Sequence, residues 1–147
     1  MKDSSGRQAD RYDVVWCGLT KDNIPIHVAR TLHLGYYVPG YAVGDVGYFV
    51  SKELQEFQTC NFQVLVGTFI EFVKFPLNDE RDSMVADDNA DESKRIKIGS
   101  FVIKGARYCG MVETNNTCHI NFDDQIYSKK APAFQVVMRN DFRRKRS

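Results

Sequence analysis

The chain writes one phrase twice, and that repetition limits its fold more than any other feature. Laid over itself with an offset of 70 positions, residues 14–43 fall without a gap on residues 84–113. Val15 meets Val85, Ile26 meets Ile96, Val28 meets Ile98, Gly35 meets Gly105 and Gly40 meets Gly110. Two further residues in the second copy raise the offset to 72, and NFQVLV (61–66) then meets AFQVVM (133–138), sharing Phe-Gln-Val. Self-similarity at a fixed period is the mark of one supersecondary unit used twice, each copy exposing an apolar face that the other covers. At 147 residues a single core is the default, with roughly 70% of the unfolded surface buried.

Within each copy the residues are those of strands. Runs of β-branched and aromatic side chains, four to eight long, end at Gly, Pro, Asn or Asp. Strands are expected near 12–17, 25–34, 46–51, 61–75, 95–104, 117–122 and 132–138. IKIGSFVI (96–103) shows the period-two alternation most plainly. SKELQEFQ (51–58) has helix formers for a turn or two but equally suits a loop. Pro39-Gly40 reads as a turn, and the paired glycines mark places needing positive φ or close backbone approach. The expected class is all-β, with two pseudo-symmetric tandem repeats forming one β-sandwich or barrel-like domain. Its parts are a disordered tail over 1–11, a first repeat over 12–75, a second over 76–138 and a basic tail over 139–147. Residues 76–94 are mostly acidic loop, with one short strand near Met84 and Val85.

Composition mainly excludes. Twenty Lys and Arg against 19 Asp and Glu leave +1, too little to draw the chain to nucleic acid or anionic lipid by its overall field. Only RRKRS (143–147) forms a basic patch, and terminal basic runs are usually solvated. No apolar run reaches the ~18 residues of a membrane helix, and the opening residues have no signal-peptide core. The expected location is the cytoplasm, with Cys17, Cys60, Cys109 and Cys118 as thiols. Cys109, Cys118 and His119 lack the fourth ligand and close pairs of a zinc site. His27, His33 and His119 read as exposed strand histidines, with no nucleophile signature beside them. Trp16 is expected in the core or at the edge of a cleft between repeats, and Arg30 as a structural clamp. Asn115 to Thr117 match a glycosylation acceptor but read as a turn without a secretory signal.

The order VVWCGLTKDNIPIHVAR, LGYYVPGY and FQVLV, over about Tyr12 to Met138, resembles the DM-nine repeats found in tandem in small invertebrate proteins. The first copy fits well and the second loosely. The resemblance implies a β-sandwich of two pseudo-symmetric units and a mannose-type lectin of innate immunity, often a homodimer; neither copy shows a constellation of acid, base and nucleophile, so no enzymatic activity, cofactor or metal is expected. The resemblance also implies a hexose held between an Asp and a Lys, since vicinal hydroxyls donate to a carboxylate and accept from an ammonium. The Asp position falls here on Thr20 and, in the second copy, on Ala90. The Lys position falls on Tyr41 and Met111.

Two readings follow. In the first, the chain is a glycan-binding module with a site rebuilt around Thr20, Asp22 and Tyr41, where Tyr41 stacks on a sugar ring and the second-copy Ala90 and Met111 are inert. A concave cleft lined by Tyr36, Tyr37 and Tyr41 would mark it. In the second, a diverged relative has lost sugar binding and acts as an intracellular protein-interaction or stress- and infection-response protein. The missing charged pair favours the latter.

Overall fold

The computed structural model describes residues 2–3, 14–67, 70–75, 84–86 and 95–139. The remaining tail residues and most of the acidic loop, Ala90 included, lie outside the described residues. What is described is built from strands and turns, in two antiparallel sheets. No helix among the described residues is long and apolar enough to cross a membrane.

The first sheet contains β1 (Lys2–Asp3), β2 (Trp16–Leu19), β3 (Pro25–His33), β4 (Tyr36–Val43), β5 (Val46–Val50), β6 (Glu56–Thr59) and β7 (Gln63–Val64). Its order is β1-β7-β3-β4-β5-β6, with β2 also on β3. The second contains β8 (Ile70–Lys74), β9 (Ile98–Ile103), β10 (Ala106–Val112), β11 (Thr117–Phe122), β12 (Gln125–Lys130) and β13 (Gln135–Arg139), in the order β12-β11-β10-β9-β13-β8. Both sheets are open, so the barrel alternative is not realised. Within the segment expected as a tail, Lys2–Asp3 pairs with β7; the rest of 1–11 lies outside the described residues. The short strand expected near Val85 is a bridge to Lys97.

Among the described residues, five strands were not expected: β1, β6 (overlapping the stretch read as a helical turn or a loop), β4, β10 and β12; the last three are instructive. In β4, Pro39 stands opposite Arg30 of β3, while the ladder to β5 stops at Gly40 and Phe49. A residue without an N–H is tolerated where only one side is paired. The Pro-Gly step is therefore strand and not turn. The second, β10, carries Gly110 opposite Gly99 of β9. The third, β12, is polar enough (QIYSKK) to pass for loop, yet it pairs with β11 along its whole length. The segment 61–75, expected as one strand, divides into β7 and β8 in different sheets.

The glycines divide by cause. Gly35 and Gly105 have φ of 86° and 89° in tight hairpin turns, where a Cβ would be strained. Gly40 and Gly110 sit in strands against the main-chain oxygens of Tyr48 and His119, in the space a Cβ would take. Close approach, not turn geometry, requires them.

Two apolar clusters fill the interior, and each draws on both halves of the chain. One holds Ile98, Phe101, Tyr108, Ile120, Phe134 and Val136 together with Val28 and Tyr41 of the first sheet. The other holds Ala29, Val38, Phe49 and Phe62 together with Ile96 and Met111. Neighbouring positions such as Val28 and Ala29 are both fully buried, because β3 packs on its two faces. This explains why period-two alternation is blurred there.

Cys17 of β2 and Cys109 of β10 form a disulfide, with Cα atoms 6.6 Å apart and 92 residues between them in sequence. The expectation of four thiols is corrected here. β2 crosses directly over β10, where a Cβ on Gly18 would lie 3.2 Å from the Arg107 nitrogen; such closeness in space leaves no trace in cysteine spacing. Cys60 and Cys118 stay reduced, and burial pushes the Cys118 thiol pKa well up. Trp16 is half exposed and not in the core, since its strand presents the opposite face inward with Cys17.

Candidate functional site

Three turns converge on a cleft of about 460 Å³ at one end of the sheets. The first is the β2–β3 turn, organised by Thr20. Its hydroxyl oxygen accepts from the Asp22 and Ile24 N–H groups at 3.2 and 3.1 Å, leaving the hydroxyl proton available to a ligand. The second is the β9–β10 turn, where Lys104 has φ of 50° ahead of Gly105. The third is the β11–β12 turn of Asp123 and Asp124, with φ of 56° and 60°. Two successive positive-φ residues match the twist of a tight hairpin, and Asp tolerates the left-handed region better than most residues. The turn chemistry thus sets two carboxylates and an ammonium around one opening.

The base of the cleft is aromatic. Tyr41 stacks on Tyr48 with centroids 5.1 Å apart and meets Tyr108 at 4.8 Å; Tyr108 meets Phe122 at 5.0 Å, and Phe122 meets Tyr127 at 5.5 Å. Tyr41 is 3% exposed, and its hydroxyl donates to the Asn121 main-chain oxygen at 2.6 Å. Burial, followed by the neighbouring Tyr108 and Tyr48 and then Asp123 and Asp124, raises its pKa. It remains a neutral donor that ties the first sheet to the second. Tyr48 and Phe122 are half-buried and provide the ring surface that reaches the opening.

The structure therefore brings Thr20 and Tyr41 to one cleft, but corrects the role of Tyr41. Its ring is a buried support and not the exposed stacking platform. The Asp22 side chain is on the exposed turn, and it is the Asp22 N–H that serves the site by holding Thr20. Met111 is 2% exposed within the second apolar cluster. Tyr36 and Tyr37, expected beside Tyr41, are engaged elsewhere. The Tyr36 hydroxyl accepts from the Lys52 N–H at 3.1 Å. Tyr37 lies under the Arg30 guanidinium at 3.7 Å. Arg30 is the expected clamp: its Nε donates to Gln63 Oε1 at 2.8 Å and its Nη1 to the Ala86 oxygen at 2.6 Å.

Lys104, Asp123, Asp124, Tyr48, Gln58, Tyr108 and Phe122 were not anticipated at this site. The Asp-Asp pair between NF and QIY was the available signal, a turn dipeptide flanked by strand residues.

His119 also departs from expectation. It is 6% exposed, with Nε2 2.8 Å from Glu113 Oε1 and Nδ1 2.6 Å from Ser128 Oγ. A carboxylate only accepts, so Nε2 donates to Glu113, while Nδ1 hydrogen-bonds the Ser128 hydroxyl. This chain of groups fastens the β10–β11 turn to β11 and β12. It occupies both ring nitrogens and, with Cys109 in the disulfide, dissolves the zinc set of Cys109, Cys118 and His119.

No family model matches the chain, and no curated protein matches it.

Proposed function

We propose that the chain is a non-enzymatic carbohydrate-binding module of the DM-nine kind, taking a neutral hexose in the cleft between Thr20, Lys104 and the Asp123–Asp124 turn. The observation that carries this reading is the pairing of an aromatic base with carboxylates and an ammonium at one opening. Sugar rings present apolar C–H faces to aromatic surfaces, while their hydroxyls donate to carboxylates and accept from ammonium groups. The Asp and Lys absent from their family positions at Thr20 and Tyr41 have counterparts supplied by other turns.

The duplication reading belongs to the same proposal. Ala29 pairs with Val64 and Arg30 with Gln63, while Gly99 pairs with Val136 and Ser100 with Gln135. Gly40 stands opposite Ala29, and Gly110 opposite Gly99. These pairs are related by the offsets of 70 and 72 seen in the sequence. The strand orders β7-β3-β4-β5-β6 and β13-β9-β10-β11-β12 also correspond.

The test is a glycan-array screen followed by titration with mannose, using folded full-length protein. Binding is expected on the order of millimolar, as for a shallow, open site. Tyr48→Ala and Asp124→Asn are each expected to weaken it by about tenfold or more. A blank array from folded protein would remove the lectin reading and leave the protein-interaction alternative.

A further inference from the structure

A second opening arises where β13 begins too late to cover β9. β13 meets β9 only at Gly99 and Ser100, whereas β9 runs on to Ile103. The notch beside Phe101 and Val102 has a volume of about 330 Å³ and is bordered by the 131–134 loop. Among the described residues its lining contains three cations, Lys74 from β8, Arg107 from β10 and Lys129 from β12, and no carboxylate.

The contrast with the first sheet explains why the notch is open. Beside Gln63 stands Arg30, whose guanidinium fills the space and spends its donors on Gln63 and Ala86 over the Tyr37 ring. Beside Gln135 stands Ser100, fully buried, with its hydroxyl donating to the Tyr108 oxygen at 2.7 Å. The small side chain leaves room, and the positive charge comes instead from Arg107. Arg107 donates to Ser100 Oγ at 3.3 Å and lies 5.5 Å from the Phe72 ring. Among the described residues it has no carboxylate partner. Burial lowers its pKa, as expected for a guanidinium held partly out of water without a counter-charge. Lys129 lies 5.1 Å over the ring of Phe101, a near-buried apolar wall.

We propose that this notch binds the oxyanion of a phosphate or sulfate monoester, with Arg107 as the forked donor, Lys74 and Lys129 as flanking charges, and the organic part of the ester against the exposed Val102 and Pro132. A planar guanidinium matches two oxyanion oxygens at once. The site is separate from the sugar cleft in residues and in ligand charge.

The test is a titration of isotope-labelled full-length protein with inorganic phosphate, inorganic sulfate and phenyl phosphate, each against chloride at matched ionic strength, followed by amide NMR shifts. Saturable shifts are expected at Ser100, Val102, Arg107 and Ala133, with phenyl phosphate binding several-fold more tightly than inorganic phosphate. Arg107→Gln is expected to weaken binding by about tenfold or more. Should that variant fold poorly, the exposed pair Lys74→Gln and Lys129→Gln decides the matter with a loss of similar size. Tyr48→Ala is expected to leave phosphate binding unchanged, which separates this site from the sugar cleft. Shifts no larger than those from chloride, or binding indifferent to the charge variants, would overturn the proposal. Equal affinity for phenyl and inorganic phosphate would overturn the ester assignment and leave the free oxyanion as ligand.

Discussion

Gly110→Ala is expected to destabilise the protein by about 3 kcal/mol, at the upper end of the range for forcing extra atoms into a packed site. The added methyl would occupy the space of the His119 main-chain oxygen, so β10 and β11 must part where Met111 pairs with His119. Backbone cannot rotate aside as a long side chain can. Gly105→Ala is the control. It has φ of 89° and nothing within 4 Å of an added Cβ, and its expected cost is conformational only, about 1 kcal/mol. Urea unfolding of the two variants checks the ordering, and equal midpoints would show that close approach at Gly110 is not limiting.

Tyr41→Ala should be as damaging for a different reason. It empties a nearly buried aromatic position between Tyr48 and Tyr108 and removes the hydroxyl from the Asn121 oxygen. Large-to-small changes of this kind cost about 3–5 kcal/mol. Tyr41→Phe retains the ring and loses only the hydrogen bond, about 1–2 kcal/mol including the unsatisfied acceptor. Thermal unfolding measures both. Under the proposed function, Tyr41→Phe keeps sugar binding while Tyr48→Ala loses it, which separates support of the cleft from contact with the ligand.

The strand-bearing character of the chain was readable because Ile, Val and aromatic residues come in short runs ended by turn residues. The missing strands show the limit of such reading. Pro39-Gly40 has the local chemistry of a turn, and only the end of the β5 ladder makes it acceptable within β4. At the candidate site, Thr20 and Tyr41 were named because the sugar-holding Asp and Lys positions of the resembled family fall on them. Lys104, Asp123 and Asp124 were missed because their meeting depends on how two hairpin tips of the second sheet face a turn of the first. Such proximity is a property of packing and is not written in any one segment. The Cys17–Cys109 link was hidden for the same reason, since no spacing rule joins residues 92 positions apart.

The exchange of Tyr41 and Met111 between the two apolar clusters bears on how the chain can be divided. Each half, isolated, would carry a hollow that only a side chain from the other half plugs. Fragments 1–75 and 76–147 produced separately are therefore expected to aggregate, and produced together to copurify as a reconstituted pair. Soluble, cooperatively folding single fragments would contradict this. The same interlock gives crowded chains a route to trade halves between molecules, so that dimers formed during refolding would be exchanged copies of the monomer rather than a new interface.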